Sequence, residues 1–466
     1  MIEIAAKAFN GFIGLGGAAM MFFILTILAL FFGVSLRNAI EGGLRMAIAL
    51  TGMSAVVSLL TTSFSPALTS FAQATGTGLE IVDLGWAPLA VITWGSLYTL
   101  YFACICTVLN LVFLFLNLTN TLIVDLFNIW NISIAGLILH YYSHNIVITS
   151  IFVLGIYALM LRNADLIKPS VDRMLGFDKD NAVITAHPCV LIAPFVMVLN
   201  RVIDVCLPFV DKFDFDAETL NKKIGFFGSR IAIGVYVGLF IGTLGRLPFA
   251  DVIKLAFTGG AVMELFAIVG GWFGPAIKPI ADGIQNIAEK YLHGRRLYIA
   301  IDWPFLGARA ELWTTVNLLA PIILLIALVL PGNRVMPLGG ILLTALMPAV
   351  LLVADGRILR MMLLSICMTP VYLLSATYTA ECFTNLSIAM NSLPDNLGNG
   401  QMFSSLTSLP ISRMLARFLG ESVADGNVAG LLGSVAFVIF YLFLFRWYAK
   451  KMRKRDVACY NRGDSV

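Results

Sequence analysis

The chain has 466 residues, of which 59% are hydrophobic and 12% charged, with a formal net charge of +4. Soluble globular proteins average about 45–50% apolar and about 25% charged residues, so no soluble packing hides this much apolar surface. The composition excludes a soluble enzyme, a nucleic-acid binder and a secreted disulfide scaffold, and leaves an integral membrane protein.

In lipid every backbone N–H and C=O must be paired internally, which leaves helices or closed barrels. Barrel strands alternate polar and apolar residues over about 10 positions. Here the apolar runs are continuous, and several reach the roughly 20 residues a spanning helix needs. The expected fold is an all-α polytopic membrane protein of about eleven transmembrane helices with re-entrant or broken segments.

The first expected span is Gly11–Gly33, too long an uncharged run for a signal-peptide core. A basic turn with Arg37 and Arg45 leads to a second span, Met46–Phe64. Ser65–Gly85, rich in Ser, Thr, Gly and Pro, reads as too polar for a plain span. Trp86–Leu161 has room for three spans, breaking near Asn117–Asn120 and Tyr141–Asn145. Two charged loops, Arg162–Asp180 and Asp211–Lys223, flank the apolar run Ala182–Asn200, which His187, Pro188 and Pro194 interrupt. Spans over Arg230–Gly245 and Val252–Gly274 precede an amphipathic stretch, Lys278–Arg296. Leu312–Pro331, Val335–Ala354 and Arg360–Ala380 follow as spans, Glu381–Ser412 is irregular and polar, and Gly426–Phe445 is the last span.

Arg446, Lys450, Lys451, Arg453, Lys454 and Arg455 mark the tail 446–466 as cytoplasmic. The Arg37/Arg45 turn reads the same way, which places the N-terminus outside and favours an odd count of spans. Of the seven cysteines, Cys104, Cys106 and Cys367 lie in apolar runs, and no C-x-x-C or zinc spacing occurs; they read as small core residues.

The chain divides into approximate halves, 1–165 and 225–450, joined by 166–224. Each half has spans, a polar Gly/Ser/Pro-rich segment and a short similar string, Ala90-Val-Ile-Thr-Trp94 and Leu409-Pro-Ile-Ser-Arg413. Interrupted apolar segments at corresponding places in two halves point to a transporter binding site.

Ionisable groups at membrane depth are costly unless paired or wet, so each is a functional candidate. Asp83-Leu-Gly-Trp86 combines a carboxylate that accepts hydroxyl hydrogen bonds with a ring that packs the CH face of a polyol or sugar. A loop aspartate capping the next helix beside an interfacial Trp explains the same string. Asp302 either binds hydroxyls or caps a helix that begins near Pro304. His187, before Pro188 in an apolar run, either lines a cavity or is a satisfied core histidine. His140 and His144 share a helical face but lack a nearby third metal ligand; His140 reads as a polar cavity residue. Phosphate-binding loops, dinucleotide fingerprints, zincin motifs and nucleophile elbows are absent, so no catalytic residue and no metal site is assigned.

At these strings the chain resembles the membrane subunit, enzyme IIC, of the galactitol-type bacterial phosphoenolpyruvate-dependent sugar phosphotransferase system. The matching pieces are Ile81-Val-Asp-Leu-Gly-Trp86, Ile92-Thr-Trp-Gly-Ser96, Val124-Asp-Leu-Phe-Asn-Ile-Trp130 and Gly136-Leu-Ile-Leu-His140. Asn221-Lys-Lys-Ile-Gly-Phe-Phe-Gly228, Ile277-Lys-Pro-Ile-Ala-Asp-Gly283 and Leu330-Pro-Gly-Asn-Arg-Val-Met-Pro337 follow in the family's order. There are departures. Ala90-Val91 replaces a serine-proline pair, Arg413 stands where a tryptophan ends the second string, and Ala186-His187-Pro188 replaces Pro-His-Gly.

The resemblance implies a permease for a hexitol or pentitol in the bacterial inner membrane. It implies two pseudo-repeated halves, an elevator-type core beside a scaffold, and a homodimer. A cytoplasmic IIB subunit, charged through IIA, would phosphorylate the delivered substrate, and no cofactor is expected in this chain. The expected substrate-binding residues are Asp83, Trp86, Thr93, Trp94, His140, His187, Asp302 and Ser412. The alternative is an ion-gradient-driven secondary transporter of a polyol or sugar, with Asp83 or Glu264 as the coupling carboxylate.

Overall fold

The computed structural model describes residues 17–461 apart from 32, 76–78, 95, 125, 178–180, 214–225, 227–228, 273–274, 277–278, 280–282, 284–295, 338–339, 341–342, 391–392, 395–396, 398–400 and 407–408. The chain is mainly helical. Helices α1 (Gly17–Phe31) and α2 (Leu36–Thr75) pack so closely that a Cβ on Gly43 would lie 2.8 Å from the Phe22 carbonyl oxygen. Contrary to the expected break after Phe64, α2 runs on through Pro66. In helices, Ser and Thr hydroxyls can bond back to a carbonyl of the preceding turn, which hides their polarity. Thr51 and Thr62 do so here, onto Ala47 and Ser58.

Strand β1 (Ile81–Asp83) leads into the short helix α3 (Ala87–Trp94) and then α4 (Leu97–Phe115), whose first turn the Ser96 hydroxyl caps. Strand β2 (Thr121–Ile123), α5 (Leu126–Ser143) and α6 (Ile146–Leu175) follow. The two breaks expected in this stretch fall at residues with left-handed backbone, Asn117 (φ 58°) and His144 (φ 49°). The Asn145 side chain caps α6 at its start, and Gly176 (φ 63°) ends it. Strand β3 (Val183–Thr185) is followed by a 3-10 turn, Pro188–Ile192, and α7 (Ala193–Cys206). Next come α8 (Arg230–Leu244) and α9 (Phe249–Gly270). Their backbones touch through glycines: a Cβ on Gly234 would lie 2.3 Å from the Gly259 carbonyl oxygen. Small residues allow this close approach in membrane helix pairs.

Strand β4 (Tyr298–Ile301), a 3-10 turn (Trp303–Ala308) and α10 (Ala310–Val329) follow. The expected span Val335–Ala354 is instead broken into strand β5 (Val335–Met336), a 3-10 turn (Thr344–Leu346) and α11 (Met347–Ala354). Pro337 cannot continue a strand ladder, and Leu343 adopts φ 42°, so a continuous helix is ruled out locally. Helix α12 (Ile358–Ala389) continues through Pro370; β6 (Met402–Ser404), α13 (Pro410–Ala424) and α14 (Val428–Asn461) follow. Among the described residues six helices are long and apolar enough to cross a membrane. The amphipathic stretch Lys278–Arg296 and the loop Asp211–Lys223 lie almost wholly outside the described residues.

Six short strands form two parallel three-stranded sheets, ordered β5-β1-β6 and β2-β4-β3. In the first, Asp83 is in register with Ser404. In the second, Thr185 is in register with Ile301. Such non-helical backbone is tolerated at membrane depth only where protein buries it. Here β3 is wholly buried, and the other strands are buried or half-buried. Every strand is followed by a helix or a 3-10 turn, so six chain breaks gather around two sets of carboxyl strand ends.

Candidate functional site

The central strand of each sheet leads into an aspartate. Asp83 is the last residue of β1, and Asp302 directly follows β4; each is followed within three residues by a tryptophan, Trp86 or Trp303. The neighbours then give the two carboxylates different tasks.

Asp83 is fully buried. Its Oδ1 accepts from the N–H groups of Gly85 at 3.0 Å and Leu406 at 3.2 Å, and its Oδ2 accepts from Gly340 N–H at 2.6 Å. These donors come from the segments that follow β1, β6 and β5, so one carboxylate ties together the ends of all three strands. Arg413, 1% exposed on α13, is an electrostatic neighbour of Asp83. Its guanidinium lies 5.3 Å from the centre of the Phe383 ring, an arrangement that offsets part of the cost of burying the charge.

Asp302 keeps some exposure, 15% of its side chain. Its Oδ1 accepts from Trp303 N–H at 2.8 Å and lies 3.7 Å from His187 Nε2. The β3–β4 register brings the two together: Thr185 stands opposite Ile301, so the residues just beyond the strands meet. His187 Nδ1 accepts the Cys189 N–H at 3.2 Å, which leaves the Nε2 proton directed toward the carboxylate side. The pair offers an anionic acceptor and an imidazole N–H, which together match the donor and acceptor character of a hydroxyl.

The structure brings His187 and Asp302 together and sets the other expected residues around them or apart. Trp86 lies 6.2 Å from Trp130 of α5, ring centre to ring centre, near the end of β1. Thr93 is fully buried on α3, its hydroxyl donating back to the Leu89 and Ala90 carbonyls. The side chain of Trp94 lies outside the described residues. His140 sits near the far end of α5, roughly 20 Å along the helix from its start, with its ring 4.3 Å from that of Tyr98. Ser412 is on the wall of an apolar crevice of about 500 Å³ that Pro188 and Cys189 share with Leu191, Phe437 and Tyr441. Sequence reasoning noted Arg413 only as a departure from a family string. Its burial beside Asp83 had no clear signal in the sequence, because Arg417 and Glu421 follow on the same helix and make Arg413 read as one of a charged series.

Comparison with known proteins agrees with the fold. A family model described as PTS system sugar-specific permease component matches residues 11–396. The chain is 25% identical over 437 residues to a putative permease IIC component of Escherichia coli strain K12, covering 93% of this chain and 98% of that protein. It is 26% identical over 385 residues to the galactitol-specific EIIC component of the PTS system of the same strain, covering 80% of this chain and 82% of that protein. The same protein from Escherichia coli O157:H7 matches equally. With its apolar helices, its broken segments and this match over most of its length, the chain belongs to the family of sugar-specific permease components of the phosphotransferase system.

Proposed function

We propose that this permease subunit binds a galactitol-like hexitol or pentitol at the strand ends and delivers it to the cytoplasmic face. There a separate IIB subunit, charged through IIA, transfers phosphate to a substrate hydroxyl. The His187–Asp302 pair carries the reading: it is a carboxylate–imidazole pair suited to a hydroxyl, at the head of an apolar span, in a member of this family. A named galactitol-specific relative supplies the substrate class. Phosphoryl transfer is largely positioning and charge stabilisation, so the permease needs to present a hydroxyl and holds no nucleophile of its own.

In this reading Asp302 and His187 contact the substrate, Trp86 packs its CH face, and Asp83 holds the first sheet in place. Thr93, Trp94, His140 and Ser412 belong to the walls along which the substrate moves. Two mirrored sheets, each with a central strand leading into an aspartate, support a pair of pseudo-repeated halves within one membrane domain. That architecture suits about eleven spans, an elevator-type core beside a scaffold, and a homodimer. The basic tail supports a cytoplasmic C-terminus in the inner membrane.

The test uses membrane vesicles bearing the chain with its IIA and IIB partners and the general phosphoryl carriers. Labelled galactitol and a panel of hexitols, pentitols and sugars are offered with and without phosphoenolpyruvate. The expected result is a phosphorylated product of one panel member that requires phosphoenolpyruvate. Uptake of an unmodified compound that depends on a proton or sodium gradient would overturn it in favour of secondary transport.

A further inference from the structure

The two strand-end sites are joined by a buried side chain that neither uses. Tyr372 lies on α12, two residues past Pro370, and is 1% exposed. Its hydroxyl has no hydrogen-bond partner among the described residues. Its electrostatic neighbours include Cys189 and Arg413. Cys189 in turn neighbours Asp302, and Arg413 neighbours Asp83. One turn further along α12, Ser375 donates to the Pro410 carbonyl at the start of the helix that carries Arg413, and Cys189 shares a crevice with Pro410 and Ser412, so the phenol has neighbours belonging to both strand-end sites.

A buried hydroxyl without a partner is costly, and buried tyrosines ordinarily find one. A phenylalanine would supply the same packing without that cost, so the retained oxygen calls for an explanation. A second group repeats the pattern. Asn128, in the first turn of α5, is fully buried, and neither its Nδ2 nor its Oδ1 has a partner among the described residues. Helix α5 follows β2, and β2 pairs with β4, the strand that leads into Asp302. Two elements, α12 and α5, thus each carry a buried polar group without a partner among the described residues, and α5 follows a strand paired with the one that leads into Asp302. A donor-and-acceptor phenol and a donor-and-acceptor amide match what successive hydroxyls of a polyol present.

We infer that Tyr372 is a substrate-binding residue whose hydroxyl pairs with one hydroxyl of a polyol lying between the two strand-end sites, with Asn128 taking another. The inference rests on the polyol reading above. It adds that specificity is set at the bridge as well as at the His187–Asp302 pair, because a ligand drawn this deep must pair each hydroxyl it buries.

The experiment compares purified full-length wild type, Tyr372→Phe and Asn128→Leu. Without ligand, Tyr372→Phe is expected to melt at or above the wild-type temperature, since it removes only an unpaired oxygen. A drop of several degrees would show a structural partner and overturn the inference. Equilibrium binding is then measured with labelled galactitol and the hexitol and pentitol panel. For the panel member wild type holds best, both variants are expected to bind about tenfold to a hundredfold more weakly. The deficit of Tyr372→Phe should vanish for the monodeoxy analogue lacking the paired hydroxyl. Wild-type binding with an unchanged Tyr372→Phe affinity would overturn the inference alone. Wild type binding no panel member would overturn the polyol reading and the inference with it.

Discussion

Asp83 and Asp302 stand at the ends of equivalent strands, yet one is enclosed by three backbone donors and the other lies beside an imidazole. Three backbone N–H groups converge on Asp83. An amide in its place would set its own NH2 against one of those donors, leaving buried groups unsatisfied at about 1–3 kcal/mol each. Asp83→Asn is therefore expected to lower the melting temperature of the detergent-solubilised protein whether or not substrate is present. Asp302→Asn and His187→Ala are expected to leave that temperature within a few degrees of wild type and to weaken polyol binding by tenfold or more. A stable Asp83→Asn with selectively lost binding would reverse these roles. The sequence marked both aspartates and His187, because ionisable groups are rare in apolar runs. Their division of labour was not legible there. It depends on Gly340, Leu406 and the β3–β4 register, all supplied by parts of the chain distant in sequence.

The strands themselves were the least legible elements. They are two to four residues long, too short for an alternating pattern to register. What the sequence did show was punctuation. Pro88, Pro188, Pro304, Pro348 and Pro410 each stand in the first two positions of the helix or turn that follows a break, where a missing N–H costs nothing. The apolar cores of the long helices were legible because such runs match the thickness of a bilayer, but α2, α12 and α14 continue past the expected ends into more polar sequence. The run Val335–Ala354 was read as a span for the same reason, and strand β5, paired with β1, and Pro337 break it. Gly340 tests how tightly the first sheet's end is built. A Cβ there would lie 2.8 Å from the Leu406 Cβ and 2.9 Å from Asp83 Oδ2. Gly340→Ala is expected to push the segment after β5 away from the carboxylate and to cost about 1–3 kcal/mol. Thermal denaturation would read this as a lowered transition, and combining it with Asp83→Asn should cost less than the sum of the two, since both break one hydrogen bond.

Across the whole molecule, each sheet takes strands from both halves of the chain, and β3 comes from the segment that joins them. The halves expected from the sequence are thus interleaved through their strand ends. A charged contact at the end of α6 ties the joining segment to the second half. Arg173 reaches Asp355, in the turn between α11 and α12, with two hydrogen bonds of 2.8 and 3.1 Å. Arg455 of α14 bonds the Leu352 and Val353 carbonyls of the same turn. Burial pushes the Asp355 carboxyl upward, but the Arg173 hydrogen bonds and the nearby charges of Arg455 and Arg357 outweigh it and hold the group below its ordinary value of 3.8. A carboxyl depressed in the folded state stabilises the fold above its unfolded pKa, and that stability is lost as pH falls through the folded one. Asp355→Asn is therefore expected to cost about 1 kcal/mol at pH 7, in keeping with a partly exposed pair. The gap to wild type should narrow only as the pH falls below 3.8, toward the depressed folded value at which the wild-type carboxyl takes up its proton. Melting curves for wild type, Asp355→Asn and Arg173→Met between pH 7 and pH 3 would test this. A gap that persists unchanged into acid would assign the effect to packing of the α11–α12 turn instead of to the ion pair.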